Sequence, residues 1–196
     1  MEERALLTQT LLSNVLNAID RSMIDRSIVV ASNPDEVISL KSGYSKVQVI
    51  RESKISGGVS CAMEDGMRFA MQINPSQNMS PIFILMPSDL PFLNSDSLNF
   101  ALDQKKFYDL IINGSRKRDG TSLLVLERGK KIPLHYDDKS FINHNIEAKK
   151  LKLRTLILDV NAFSFDLDDE DDLHLLMSEL KSKSFCELIQ CLTSAR

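Results

Sequence analysis

The chain has little cysteine, and what it has is arranged for neither a disulfide framework nor a metal cage. Cys61, Cys186 and Cys191 are odd in number and in no metal-ligand spacing, a usage that suits a reducing cytosol. Cys61 falls in a helical pattern, where packing is the expected role. Glycine is also sparse, with seven residues in 196. No G-x-G-x-x-G and no Walker A run occurs, which excludes a dinucleotide fingerprint and a P-loop. No apolar run approaches the ~18 residues of a membrane span, and the N-terminus lacks a signal-peptide layout, so a cytoplasmic protein is expected. Positive charge is not in excess: the net charge is −3, which gives no general attraction to nucleic acid or to an anionic membrane. The one basic run, "RKRDG" at 116–120, is too short for a nucleic-acid footprint and better suits a small phosphorylated ligand. No convincing Ser/His/Asp or Cys/His arrangement stands out.

What is present is ordinary globular material, 43% hydrophobic and 26% charged, in an order that alternates helix and strand. Leu7, Leu11, Val15 and Ile19 recur at helical spacing at the front. Strands are expected at 27–32 and 46–50, with a short helix between them. A helix over 56–73 follows, with Val59, Met63, Met67 and Met71 on one face and the methionines as core filling. "PIFILM" at 81–86 reads as a buried strand. Helix 96–104, strands 108–112 and 121–126, helix 139–151 and strand 153–158 come next. A short strand over "FSFDLD", a helix from about 169 to 181 and a C-terminal segment "FCELIQCL" close the list. Such alternation implies a single α/β domain over 1–181, a Rossmann-like, mixed and mostly parallel sheet with helices on both faces, and a tail over 182–196. The tail could form a small homodimer contact.

In open α/β sheets ligands bind beyond the carboxyl ends of the strands. Asp89 stands there, in "PIFILMPSDLPFL", held between two prolines at the exit of the most apolar strand. Its plain reading is a turn residue. A second acidic feature is the run "FDLDDEDDL" at 165–173. Asp169, Glu170 and Asp172 read as helix-start residues that meet orphan N–H groups and the helix dipole. Asp166 and Asp168 precede that helix. On a strand they would share a face with Ser164, while Phe163, Phe165 and Leu167 pack on the other. Two carboxylates side by side repel unless a cation lies between them. An EF-hand is excluded, because its sixth position is Asp171 and its twelfth Met177. Oxygen ligands without His or Cys favour Mg²⁺ or Mn²⁺, which commonly bridge carboxylates to substrate phosphates. Asp89 would be the third carboxylate if the strand ends converge.

A metal so held implies a phosphate partner. Arg116, Lys117 and Arg118 precede a turn at Gly120, and Thr121 opens a strand with a hydroxyl and an N–H. Ser140 begins a helix, and "SGGVS" at 56–60 begins another; helix starts favour anions. Taken singly, each is also an ordinary turn or cap.

Four segments in order, "PSDLPFL", "RDGTSLLVL", "HYDDKSFINH" and "FSFDLDDEDDL", resemble the 2-phospho-L-lactate guanylyltransferases (CofC), over essentially the whole chain to Leu180. The resemblance implies a nucleotide-diphospho-sugar-transferase-like fold. It implies an enzyme that joins the phosphate of 2-phospho-L-lactate, or of phosphoenolpyruvate, to the GMP part of GTP with release of pyrophosphate, in deazaflavin coenzyme biosynthesis. It implies Asp89, Asp166 and Asp168 as the catalytic Mg²⁺ ligands, Thr121 and Ser140 on the acceptor's phosphate, Gly58 to Ser60 on the nucleotide side, and His144 as structural support. Departures are Asp119 and Ser122 in "DGTS" for G-G-T-N, Asp137 for a Gly, and Ser60 for an Asn. Such proteins open with a strand and a basic loop, P-x-K-x-x-x-x-K-x-R-L, whereas "MEERALL" matches the helix after it. A start codon placed at an internal Met is the expected explanation, to be checked in the upstream DNA. Other readings are a different Mg²⁺-dependent nucleotidyltransferase of this fold, or an inactive ligand-binding relative.

Overall fold

The computed structural model describes residues 2–41, 43–53, 57–73, 81–127, 132–165, 171–172 and 174–176. The elements are α1 (Glu2–Asp20), β1 (Ser27–Ala31), α2 (Pro34–Lys41), β2 (Val47–Arg51), α3 (Gly58–Ile73), β3 (Ile82–Leu85), α4 (Ser95–Gln104), β4 (Leu110–Gly114), β5 (Thr121–Glu127), α5 (Ser140–Lys150), β6 (Thr155–Leu158) and α6 (Asn161–Ser164). The expected α/β order is found, with its strands in two hydrogen-bonded sheets, β1-β2 and β3-β5-β4-β6. In the larger sheet β5 runs antiparallel to both β3 and β4, and β6 is parallel to β4. Thus β3, β4 and β6 share a direction, and β5 alone opposes them. Their carboxyl ends and the amino end of β5 lie on one edge.

The periodicities explain the layers. On α1, Val15, Ala18 and Ile19 face a cluster with Leu98, Ile111, Leu123, Val125 and Phe163, against the larger sheet. One step around the same helix, Leu12 and Leu16 pack with Val47 of the smaller sheet. Helix α3 spans both sheets as well. Met63, Met67 and Met71 meet the cluster of Phe83, Leu85, Ile112 and Leu124, while Gly66 lies against Val30 of β1. The flexible thioethers fill that interface, as expected of methionine. Leu123, Leu124 and Val125 are fully buried, as a strand covered on both faces should be. Asp65, buried on α3, accepts from the N–H and the hydroxyl of Ser53. The Ser53 backbone bond is the main reason its carboxyl is held below the usual range.

One expected element differs. Of the strand expected over 163–168, Phe163 and Ser164 instead close a short helix, 161–164, Phe165 is extended, and 166–168 lie outside the described residues. Two polar contacts hold this turn. The N–H of Val160 is held by the side-chain oxygen of Asn113 (3.1 Å), and the Ser164 hydroxyl turns back onto the Val160 carbonyl (3.1 Å). Phe163 and Phe165 are both buried nevertheless. Among the described residues no helix is long and apolar enough to cross a membrane.

Candidate active site

The common sheet edge gathers the chemistry. Asp89 follows β3, Gly114 ends β4 directly opposite Thr121 of β5, and Asp159 follows β6. Asp89 is half-buried, with its Oδ1 enclosed by protein. The loop after it, 90–93, is fixed from below by α1: the Asn14 amide donates to the carbonyls of Leu90 (3.2 Å) and Pro91 (3.1 Å). Phe92 of that loop packs edge-on against Phe165, 5.1 Å between ring centroids. The residue just before Asp166 is therefore held beside the Asp89 loop. Asp166 and Asp168 themselves lie outside the described residues. Among the described residues no three His, Cys, Asp or Glu side chains cluster as a metal cage. The donor that Asp89 brings to this edge, a partly buried carboxylate oxygen, suits a hard oxygen-ligated cation better than a thiolate or imidazole would.

Thr121, Ser140 and His144 form one buried group. The Thr121 N–H donates to the Ser140 hydroxyl oxygen at 2.6 Å, and Thr121 Oγ1 lies 2.9 Å from His144 Nδ1. The backbone N–H of His135 donates to His144 Nε2 at 3.0 Å. Burial, with His135 nearby, pushes His144 down to about 4. Ser140 sits at the first turn of α5, after Lys139 in a left-handed conformation (φ 41°). One residue beyond His135, the Tyr136 N–H donates to Ser60 Oγ (2.9 Å) on the first turn of α3. The Asp137 carboxylate then lies against Gly58, where a Cβ would overlap it and where φ is +73°. Segment 135–137 is thus a strap that joins the group of Thr121, Ser140 and His144 to Gly58 and Ser60 at the start of α3. Asp137 comes to rest at a helix start, the kind of place an anion favours.

The basic loop is organised by carboxylates. Asp119 accepts from the Ser115 hydroxyl (2.8 Å) and the Gly120 N–H (2.7 Å), and these bonds, Ser115 first, hold its carboxyl below the usual range. Arg118 reaches Asp159 at 3.3 Å. Arg116 pairs with Asp172 and lies over the Phe165 ring, 5.7 Å from its centroid, while Lys117 approaches Asp172 at 3.8 Å. Asp172 is 2% exposed. Asp172, expected at a helix start whose residues 166–170 lie outside the described ones, is also a buried counter-ion to the basic loop, and no sequence spacing points to a partner 56 residues away. A cleft of about 390 Å³ opens at the ends of β4 and β6, lined by Gly114, Ser115, Arg116, Arg118, Asp159 and Ser164 among others.

One residue escaped the sequence reading altogether. Asn113, fully buried at the end of β4, donates to the Gly114 carbonyl (2.8 Å), to Ser122 Oγ (3.2 Å) and to Ser164 Oγ (3.0 Å), and accepts from the Val160 N–H. It ties β4, β5 and α6 together, and so sets the course of the chain that leads to Asp166. An Asn-Gly pair at a strand end reads as a turn signal, which hides this role. Cys61 is half-buried on α3; Cys186, Cys191, Asp168 to Glu170 and "FCELIQCL" lie outside the described residues.

A family model described as guanylyl transferase CofC-like matches residues 1–193. The chain belongs to this family. It is accordingly a nucleotidyltransferase-type enzyme. Relatives include a 2-phospho-L-lactate guanylyltransferase of Methanocaldococcus fervens, 30% identical over 84% of this chain and 71% of that protein. Another is a 3-phospho-D-glycerate guanylyltransferase of Phenylobacterium zucineum, 25% identical over 87% of this chain and 76% of that protein. Among solved structures, a Desulfovibrio desulfuricans protein named as a candidate nucleotide-diphospho-sugar transferase superposes with a TM-score of 0.74 at 17% identity, over 98% of this chain and 86% of that one. At that identity the likeness bears on the fold, and it is the fold expected for CofC-like proteins.

Proposed function

We propose that this CofC-like guanylyltransferase transfers GMP from GTP to the phosphate of a small phosphorylated acid, 2-phospho-L-lactate or phosphoenolpyruvate, in deazaflavin coenzyme biosynthesis. A phosphate oxygen of the acceptor attacks the α-phosphorus of GTP. The bond from that phosphorus to the bridging oxygen breaks, and pyrophosphate leaves. The attacking oxygen is already anionic near pH 7, so no general base is needed. Positioning and charge stabilisation carry the step.

Asp89, Asp166 and Asp168 would hold Mg²⁺ or Mn²⁺. The bound cation supplies charge neutralisation and orientation for the phosphates. Thr121 and Ser140 hold the acceptor's phosphate through hydroxyl donors at the mouth of β5. Gly58 to Ser60, at the start of α3, face the nucleotide. His144 keeps Thr121 in place. The observation that carries this reading is the packing of Phe165 on Phe92, which keeps the chain entering Asp166 beside the loop that follows Asp89. The names of the relatives support the reaction class, and one of them widens the acceptor set to 3-phospho-D-glycerate.

The test is direct. The purified protein is mixed with GTP, Mg²⁺ and each of the three phospho-acids, and pyrophosphate release and ³¹P signals are followed. The expected result is equimolar pyrophosphate and a new phosphoanhydride pair of signals with one acceptor. No pyrophosphate with any of the three would overturn the proposal.

A further inference from the structure

We infer that His144 fixes the hydrogen-bond polarity of Thr121, making Thr121 and Ser140 a buried pair of donors aimed at an acceptor oxygen of the ligand. The inference rests on the acceptor role proposed above for those two residues, and it deepens that role.

The far nitrogen of the ring fixes its tautomer. A backbone N–H can only donate, and that of His135 points at His144 Nε2 from 3.0 Å. Nε2 must therefore carry a lone pair. A neutral imidazole then bears its hydrogen on Nδ1. Nδ1 faces Thr121 Oγ1 at 2.9 Å, so the ring donates and the threonine oxygen accepts. The Thr121 hydroxyl hydrogen is thereby turned away from His144. The ring is fully enclosed and sits on α5 beside Tyr136, 5.1 Å between centroids, so it cannot swing to offer the other nitrogen. Its depressed basicity keeps this neutral state.

Ser140 repeats the pattern. Its oxygen accepts the Thr121 N–H at 2.6 Å, which leaves its own hydrogen to donate. Among the described residues neither hydroxyl hydrogen meets an acceptor. Both side chains are more than nine-tenths buried, Thr121 5% and Ser140 3% exposed. Two buried hydroxyls that each already accept one hydrogen bond and have a hydrogen left to donate call for a ligand acceptor, such as a phosphate or carboxylate oxygen. A ligand that presents a hydroxyl or amide donor at this point would leave hydrogens facing each other. His144 is in this sense a positioning residue, acting through Thr121.

Two measurements test the inference. In protein labelled with ¹⁵N-histidine, long-range ¹H–¹⁵N spectra at pH 7 are expected to show His144 as the neutral Nδ1–H tautomer. The Nε2–H tautomer or an imidazolium would overturn the polarity. In steady-state assays with GTP and Mg²⁺ saturating, His144→Phe and Thr121→Val should each raise KM for the phospho-acid about tenfold, as expected for one lost charge-assisted hydrogen bond. KM for GTP should stay near the wild-type value. The double variant should be no worse than the worse single one. His144→Gln, whose amide can accept from His135 and donate to Thr121, should restore KM to within about threefold, which a fault in folding would not do. Independent, additive losses, or an unchanged KM in His144→Phe, would overturn the coupling. If the wild type binds no phospho-acid by calorimetry, the ligand assignment and the proposed reaction fall together. The tautomer decides the polarity separately.

Discussion

Replacing Asn113 should cost far more than its place at a strand end suggests. In Asn113→Ala the buried Val160 N–H loses its acceptor, at about 1–3 kcal/mol for an orphaned buried donor. Ser122 and Ser164 lose a donor but can rotate toward other partners, so each adds at most about 0.5–1 kcal/mol. The vacated amide leaves a small void in a region where Leu123 and Phe163 are fully enclosed. Together these give about 3 kcal/mol, which for a domain of this size lowers Tm by roughly 6–12 °C. Asn113→Leu separates hydrogen bonding from volume, because it fills the space and makes none of the bonds. Urea denaturation of both variants measures the cost. Both should lose at least about 2 kcal/mol by this reasoning. A leucine variant within about 0.5 kcal/mol of wild type would show that the amide only fills space, and would remove the basis for treating it as the anchor of α6.

Two further outcomes follow from the same geometry. Gly58→Ala meets both a positive φ and the Asp137 carboxylate, so it should lose about 1–3 kcal/mol by thermal denaturation, and Asp137→Gly in the same chain should recover only the part due to overlap. Full recovery would mean that the backbone conformation carries no strain. His144 binds its proton less readily folded than unfolded, so the unfolded state takes up more protons between about pH 6.5 and 4. Stability is thus fully present above about pH 6.5 and falls as pH drops toward 4, by up to about 3 kcal/mol, and this part of the slope should vanish in His144→Gln.

Much of the fold could be read from period and bulk alone. "TSLLVL" has the unbroken apolar run of a strand covered on both faces, and Leu123 to Val125 are enclosed as that run requires. The α1 stripe and the α3 methionines likewise found the cores their spacing implied. The place of Asp89 at the sheet edge was legible because a carboxylate at the exit of a buried strand has few places to be. What could not be read were long-range polar partners. Asp172 sits in an acidic run that looks like helix capping, and only the three-dimensional structure brings Arg116 to it. Phe163 and Ser164, expected in a strand, instead close the helix at 161–164, where Asn113, far earlier in the chain, supplies the acceptor for the N–H of its N-cap residue Val160. The split into two sheets has no local signature either, since α1 and α3 span both with ordinary amphipathic faces.

The claim on which the proposed chemistry rests is that Asp89 shares one divalent cation with Asp166 and Asp168. Electron paramagnetic resonance titration of Mn²⁺ with GTP present, on wild type and on Asp89→Asn, Asp166→Asn and Asp168→Asn, measures this without requiring turnover. The account predicts that each substitution weakens Mn²⁺ binding by roughly tenfold or more while thermal unfolding stays near wild type. Undiminished Mn²⁺ affinity in Asp89→Asn would contradict it.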